Sequence, residues 1–299
     1  MNKITKINYT FILILFSILL SIGYAKLNIS NFDKNILIQK DNTYFHPMIK
    51  GDVYRYMSHG YEIKKDIKDG KNYFETGRQN FTKYLYPRVI ALYYLIFDYD
   101  FFENKSKDII KLGIHSNFLI FQILIYYSSV IFLYFQLKNI LEKKILFFTL
   151  SFLSLEPTIF QFHGSFWSES IFFSIQVFLI GLILNNTQKN LRYFFIGVVL
   201  SILSLQRSNG FFYIVPILTY FYLTIGFSFT RKVIYVLTGF SILLLFVGYH
   251  NYKKSDEFHI FPAELNAVLH TYVVPNILSE KDLLKEKNKT IKFLKSKDL

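Results

Sequence analysis

Apolar residues recur in blocks at 9–25, 114–137, 145–162, 171–184, 193–205, 211–229 and 233–249. Several approach the roughly 20 residues that an α-helix needs to cross a hydrocarbon core. The blocks at 171–184 and 193–205 are short enough for a buried core helix, yet they sit in a series of like segments, so spanning is the expectation. Two weaker patterns lie in the long polar stretch 26–113. Within 53–67, Val53, Tyr56, Met57, Gly60 and Ile63 alternate with Lys and Asp, the signature of an interfacial amphipathic helix. The segment 87–97 opens on Pro87 and is too short to cross, which places it at the membrane surface or as a re-entrant piece. The predicted fold class is therefore an all-α, polytopic membrane protein with about seven transmembrane helices. Its long outer first loop, 26–113, carries amphipathic surface helices. No internal repeat or low-complexity linker interrupts the pattern.

Composition strengthens this reading. The 299 residues are 52% hydrophobic and 19% aromatic, more than one soluble core of this size consumes, so the excess faces lipid. A net charge of +13 would suggest a nucleic-acid partner in a soluble protein. Here Lys and Arg lie mostly between the apolar blocks, where anionic lipid and membrane orientation explain them, and nucleic acid is set aside as a partner. The chain has no cysteine, hence no disulfide and no thiolate metal site. Heavy use of Lys, Asn, Ile, Phe and Tyr fits an AT-rich bacterial genome, and with it the inner (plasma) membrane.

The basic residues also orient the chain. Lys3 and Lys6 precede the first block, and Gly23-Tyr24-Ala25 allows either a cleaved secretory signal or a retained signal anchor. The retained anchor is preferred because the later spans need the same starting direction. Lys138, Lys143 and Lys144 follow the second block, Lys189 and Arg192 the fourth, and Arg231 and Lys232 the sixth. All fall on the cytoplasmic side if the N-terminus is cytoplasmic and about seven spans follow. Residues 1–249 then form the membrane domain, and 250–299 an outer C-terminal segment, read as the start of a missing remainder.

This orientation gathers the candidate chemistry on the outer side. Asp52 precedes the amphipathic helix, where an acid is a natural N-cap and equally a candidate general base for an acceptor hydroxyl or amine. Glu169, in Ser168-Glu169-Ser170, is favoured by the helix dipole and has His163 and Trp167 just before it. Glu156-Pro157 interrupts the third block, either as a helix break or as a functional acid at membrane depth. Arg207, in Gln206-Arg207-Ser208-Asn209-Gly210, lies opposite the basic loops; it either snorkels to ordinary head groups or clamps a phosphate through two parallel bonds. Arg88 is a second cation of this kind. His59, His163, His250 and His259 lack metal-ligand spacing, and neither a glycine-rich phosphate loop nor a GxSxG elbow is present, so no metal site is assigned.

The order of these features resembles a known family. Gly51-Asp52-Val53-Tyr54-Arg55-Tyr56 supplies an acid before a tyrosine-containing helix, and Tyr86-Pro87-Arg88-Val89-Ile90-Ala91-Leu92 a Pro-led surface helix. Glu156-Pro157 and Ser168-Glu169 flank an outer turn, the block led by Gly197 ends in Arg207-Ser208-Asn209-Gly210, and Asn251-Tyr252 follows another block. From Lys6 to about Pro275 the chain resembles the GT-C class of membrane glycosyltransferases. Within that class it is similar to the superfamily of protein mannosyltransferases and the lipid A aminoarabinose transferase. The resemblance implies Asp52 as catalytic base and Arg207 and Arg88 as ligands for the donor phosphate. Tyr54, Tyr56, His59, His163 and Glu169 are the other substrate-site candidates. It also implies a polyprenyl-phosphate sugar as donor and a lipid, glycan or protein as acceptor; no cofactor is assigned, and metal dependence is left open. The chain departs from the pattern in having a single Asp52 followed by Val53 in place of an acidic pair. It also stops about one domain short of typical members, which raises a truncated copy as an expectation. The rival expectations are a transporter or flippase, with a polar path through several helices, and a non-catalytic membrane subunit.

Overall fold

A computed structural model of the chain describes residues 9–34, 52–72, 74, 76–77, 84–97, 116–185, 189–225, 229–256, 258 and 260. In chain order the helices are α1 (Tyr9–Lys34), α2 (Asp52–Lys68), α3 (Leu85–Ile96), α4 (Ser116–Leu137), α5 (Lys143–Leu155), α6 (Pro157–His163), α7 (Ser168–Leu184) and α8 (Asn190–Gln206). A 3-10 turn at Ser208–Tyr213, α9 (Ile214–Ile225) and α10 (Phe229–Ser255) complete it. No strand occurs among the described residues. The surface helices fall where the sequence pattern puts them, α2 within a residue of 53–67 and α3 within two of 87–97.

Three helices, α1, α4 and α10, are long and apolar enough to cross a membrane. Their 26, 22 and 27 residues correspond to about 33–40 Å against a hydrocarbon core of about 30 Å. The pair α5 and α6 meets the same test together but bends by 42° at its break. The bend has a local cause. Pro157 opens α6 without an N–H to give, and the Glu156 carboxylate caps that helix by accepting from the Ile159 N–H at 3.0 Å and the Thr158 hydroxyl at 2.7 Å. Helix capping thus accounts for the acid that sequence reading left open between a break and a function. α7 and α8, of 17 residues each, and α3, of 12, are apolar but shorter. The block at 211–229 divides between the 3-10 turn and the 12-residue α9. Among the described residues there are therefore three membrane-length helices, or four with the bent pair as one, where the apolar blocks alone predict about seven. Large apolar side chains on the outside are consistent with a lipid-facing surface: Phe148 and Phe152 on α5 are 71% and 72% exposed.

Contacts fix the relative directions of these helices. The C-terminal end of α1 meets Gly164 through Tyr24 and Asn28, and the N-terminal end of α4 meets the same turn through Phe118 stacked on Phe166. α1 and α4 are therefore antiparallel. α7 follows α4 in the same sense, since Phe118 pairs with Phe166 and Phe132 with Phe178. α8 runs against α7: Arg192 donates to the Ile183 carbonyl at one end, and Gln206 to the Ser168 carbonyl at the other. α10 runs parallel to α8, with Lys232 over the Tyr193 ring and Gly197 against Val236. Two parallel neighbours require the chain between them to return, and the 3-10 turn with α9 makes that return.

A consequence is that the two ends of the bundle differ. One end collects Lys138, Lys143, Lys144, Lys189, Arg192, Arg231 and Lys232 at the helix termini. The other collects α2, α3, the α6–α7 turn, and the C-terminal ends of α8 and α10. α2 and α3 cross closely there because Gly60 has no side chain. A Cβ on it would come within 2.7 Å of Ile90 and 3.0 Å of the Pro87 carbonyl. Tyr56, Met57 and Ile63 are buried, as the amphipathic pattern requires.

Candidate functional site

The second end of the bundle holds a connected set of polar side chains. Glu169 stands in the first turn of α7, where the dipole favours a carboxylate. Arg207 directly follows α8, and because the two helices are antiparallel these positions meet: the guanidinium and the Glu169 carboxylate form an ion pair. Two further links close the corner. Gln206 donates its amide N–H to the Ser168 carbonyl at 2.9 Å, and the Ser168 hydroxyl donates to Glu169 at 3.1 Å. Arg207 also lies 5.8 Å above the Phe172 ring. Gly210 makes the turn after Arg207 possible, since a Cβ there would collide with the Leu203 carbonyl.

The cluster continues into α3 and α2. Tyr86 is fully buried and donates to Gln122 of α4 at 2.8 Å, and Gln122 donates to the Ser165 carbonyl at 3.2 Å. Burial above all, then Tyr56, the Glu169 carboxylate and Tyr94, holds the Tyr86 phenol well above its ordinary value, so it acts as a donor and not as a base. Tyr56 packs edge-on against Tyr86 with ring centroids 5.2 Å apart. Of the candidates chosen from sequence, Glu169 pairs directly with Arg207, and Tyr56 packs on Tyr86 in the same region, where the Glu169 charge acts on the Tyr86 phenol. Asp52 opens α2 one helical turn before Tyr56. The side chains of Asp52 and Tyr54, and the position of His259, lie outside the described residues.

The remaining candidates occupy other places. His163 is fully buried beneath the turn, with Nδ1 2.8 Å from the Ser170 hydroxyl and its ring 4.8 Å from that of Tyr126. His59 is buried on α2, 3.7 Å from Glu62 and beside Gly77. Arg88 does not join Arg207. Its guanidinium stacks 3.7 Å over Tyr84, donates to the Tyr84 carbonyl at 2.9 Å, and lies 3.4 Å from His250 Nδ1, which also meets the Tyr84 hydroxyl at 2.7 Å. One turn further along α10, Lys254 donates to the Thr76 carbonyl at 2.8 Å. The two arginines therefore belong to separate parts of the same end.

Sequence reading missed Tyr86, Gln122, Gln206 and Lys254 as members of these networks. Gln122 had a usable signal, an amide inside an apolar block where unpaired polar groups are costly. Tyr86 had none, because tyrosine is abundant throughout the chain. Among the described residues no group of three or more His, Cys, Asp or Glu is placed to hold a metal ion.

Comparison of the chain with protein-family models, with curated proteins and with solved structures finds no match. The functional reading therefore rests on the residues and their geometry.

Proposed function

We propose that this protein is a membrane glycosyltransferase that moves a sugar from a polyprenyl-phosphate carrier to a lipid, glycan or protein acceptor at the outer face of a bacterial inner membrane. The observation that carries the reading is that α2, α3, α7 and α8 meet at one end of the bundle, where the ion pair of Glu169 and Arg207 and the packed rings of Tyr56 and Tyr86 lie in the same region. A reaction that draws a lipid-borne donor needs such a group at a membrane boundary, with acids and cations close together. In this mechanism Asp52 takes the proton of the acceptor nucleophile, which attacks the anomeric carbon with inversion. The departing phosphate is stabilised by Arg207, which must share its guanidinium between Glu169 and the phosphate. The alternating helix directions support the finer topology of seven passes, with α9 as the return between α8 and α10 and the N-terminus in the cytoplasm.

The test is transfer from labelled polyprenyl-phosphate sugars to membrane acceptors by the purified chain, followed by mass spectrometry of the product. Asp52→Asn is expected to lower transfer at least a hundredfold, within the range for removal of a general base, while the fold is retained. Full transfer by a folded Asp52→Asn variant would sink the mechanism.

One observation favours a second reading. Deeper in the bundle the Tyr127 hydroxyl meets the Ser21 hydroxyl at 3.0 Å and the carbonyls of Ser17 and Ser154 at 3.2 and 3.0 Å, a polar string across α1, α4 and α5. A transporter would use such a string as part of its path. Counterflow of labelled solute into vesicles, without product formation, would establish that alternative.

A further inference from the structure

We propose that the α6–α7 turn and the C-terminal end of α8 form the subsite for the sugar ring of the donor, with Gln206 and Glu169 accepting hydrogen bonds from its hydroxyls and Trp167 as its platform. The proposal rests on the donor reading given above. It starts from the amide of Gln206. This side chain is fully buried, and its nitrogen donates to the Ser168 carbonyl. Exchanging the amide oxygen and nitrogen would set two oxygens against each other, so the bond fixes the orientation of the group. The oxygen Oε1 then points away from Ser168 and is buried with no hydrogen-bond partner. A buried acceptor left unpaired is costly, and the natural complement is an O–H or N–H donor from outside the chain.

The neighbouring groups narrow the donor. Ser168 ties Gln206 to Glu169, whose two carboxylate oxygens take one bond each from Ser168 and Arg207. An ionised carboxylate offers about four acceptor directions, so Glu169 retains capacity for further donors. Trp167, immediately before Ser168, is 40% exposed and presents an amphipathic indole. An acceptor amide, an acceptor carboxylate and an aromatic face suit a ring with several hydroxyls on its edge and C–H groups on its face. A phosphate brings no donors at neutral pH, and a prenyl tail brings none at all. Arg207, held by Glu169 at the edge of this group, is placed where the phosphate of the same molecule would follow.

The chain contains a single tryptophan, so emission reports on Trp167 alone. The purified full chain in detergent is titrated with farnesyl phosphate and with farnesyl phosphate bearing mannose, glucose, galactose or N-acetylglucosamine. The expected result is tighter binding of one sugar-bearing lipid than of farnesyl phosphate, with a change in Trp167 emission that the sugar-free lipid does not cause. Gln206→Leu is expected to reduce that sugar-dependent gain about tenfold, the value of one hydrogen bond to a buried group, and to leave farnesyl phosphate affinity within about twofold. An unchanged gain in Gln206→Leu would mean that water satisfies Oε1, and equal losses for both lipids would mean a merely structural role; either overturns the subsite. Wild-type binding of farnesyl phosphate without a gain for any sugar overturns the subsite alone. No binding of any prenyl phosphate overturns the donor reading and the subsite with it.

Discussion

Arg207 and Glu169 form an ion pair that ties the C-terminal end of α8 to the N-terminal end of α7, in the corner where Gln206 already grips the Ser168 carbonyl. The pair is partly buried, with side-chain exposures of 29% and 12%, so removing one partner leaves the other charge poorly hydrated. Glu169→Gln and Arg207→Gln are each expected to destabilise the folded protein by about 1–3 kcal/mol. The double variant is expected to recover part of the sum, because it leaves no isolated charge. Reversible unfolding in mixed micelles gives the four stabilities of the cycle. Strict additivity would show that the two side chains do not depend on each other.

A second expectation concerns the contact between α8 and α10. Gly197 lies directly against the Val236 carbonyl, and Gly239 against the Phe194 carbonyl, so a methyl group at either position collides with backbone. Helices in membranes approach this closely only through small residues. Gly197→Ala and Gly239→Ala are each expected to cost about 1–3 kcal/mol through forced separation. Gly23→Ala in α1 is the control: its methyl meets nothing within 4 Å, and alanine is the better helix former by about 1 kcal/mol. Equal thermal stability of Gly197→Ala and Gly23→Ala would contradict the close crossing.

These two features differ in how legible they were. The apolar blocks located every long helix, and the amphipathic spacing located α2, because burial on one face leaves a periodic trace. The pairing of Glu169 with Arg207 left no such trace. It depends on α7 and α8 being antiparallel neighbours of equal length, which brings positions 38 residues apart to one corner. The separation of Arg88 from Arg207 left no trace either: both read as outer cations, whereas α3 directs Arg88 toward Tyr84 and His250, apart from the corner of Glu169 and Arg207. The span count was hard for a further reason. Glu156-Pro157 breaks the block at 145–162 and the 3-10 turn takes the start of the block at 211–229, and hydropathy averaged along a block does not register a break.

The junction between α2 and the segment after it supplies a pH-dependent test. Burial works to raise the Asp66 carboxyl, but the hydrogen bonds from Lys71 at 2.6 Å and the Gly77 N–H at 3.0 Å, with the charges of Lys71 and Lys254, outweigh it and hold the group below its ordinary value of 3.8. Because the folded value lies below the unfolded one, the stabilisation is complete above about pH 4 and is lost as pH falls through the folded value. Thermal stability of the wild type is expected to drop in that acid window, and Asp66→Asn to flatten this part of the profile while lowering stability at neutral pH. Parallel profiles for the two proteins below pH 4 would exclude Asp66 as the source.

The topology can be tested with unusual clarity because the chain has no cysteine of its own. α7 opposes α8, and α8 accompanies α10 in the same direction, so the basic termini at Lys138, Lys189 and Lys232 share one end while Asp69 lies with α2 at the other. Positive charge is retained on the cytoplasmic side of short loops. Single cysteines at Lys138, Lys189 and Lys232 are therefore expected to resist a membrane-impermeant maleimide applied to intact cells, and to react after the membrane is opened. A cysteine at Asp69 is expected to react from outside without that treatment. The distinction bears on function as well as count. If Asp69 were protected and Lys189 labelled, the end that holds Glu169, Arg207 and the start of α2 would face the cytoplasm, and an outer-face sugar donor could not reach it. If Lys138 and Lys189 reacted from opposite sides, the bent pair α5–α6 and α7 together would contain an odd number of crossings, and seven alternating passes would fail.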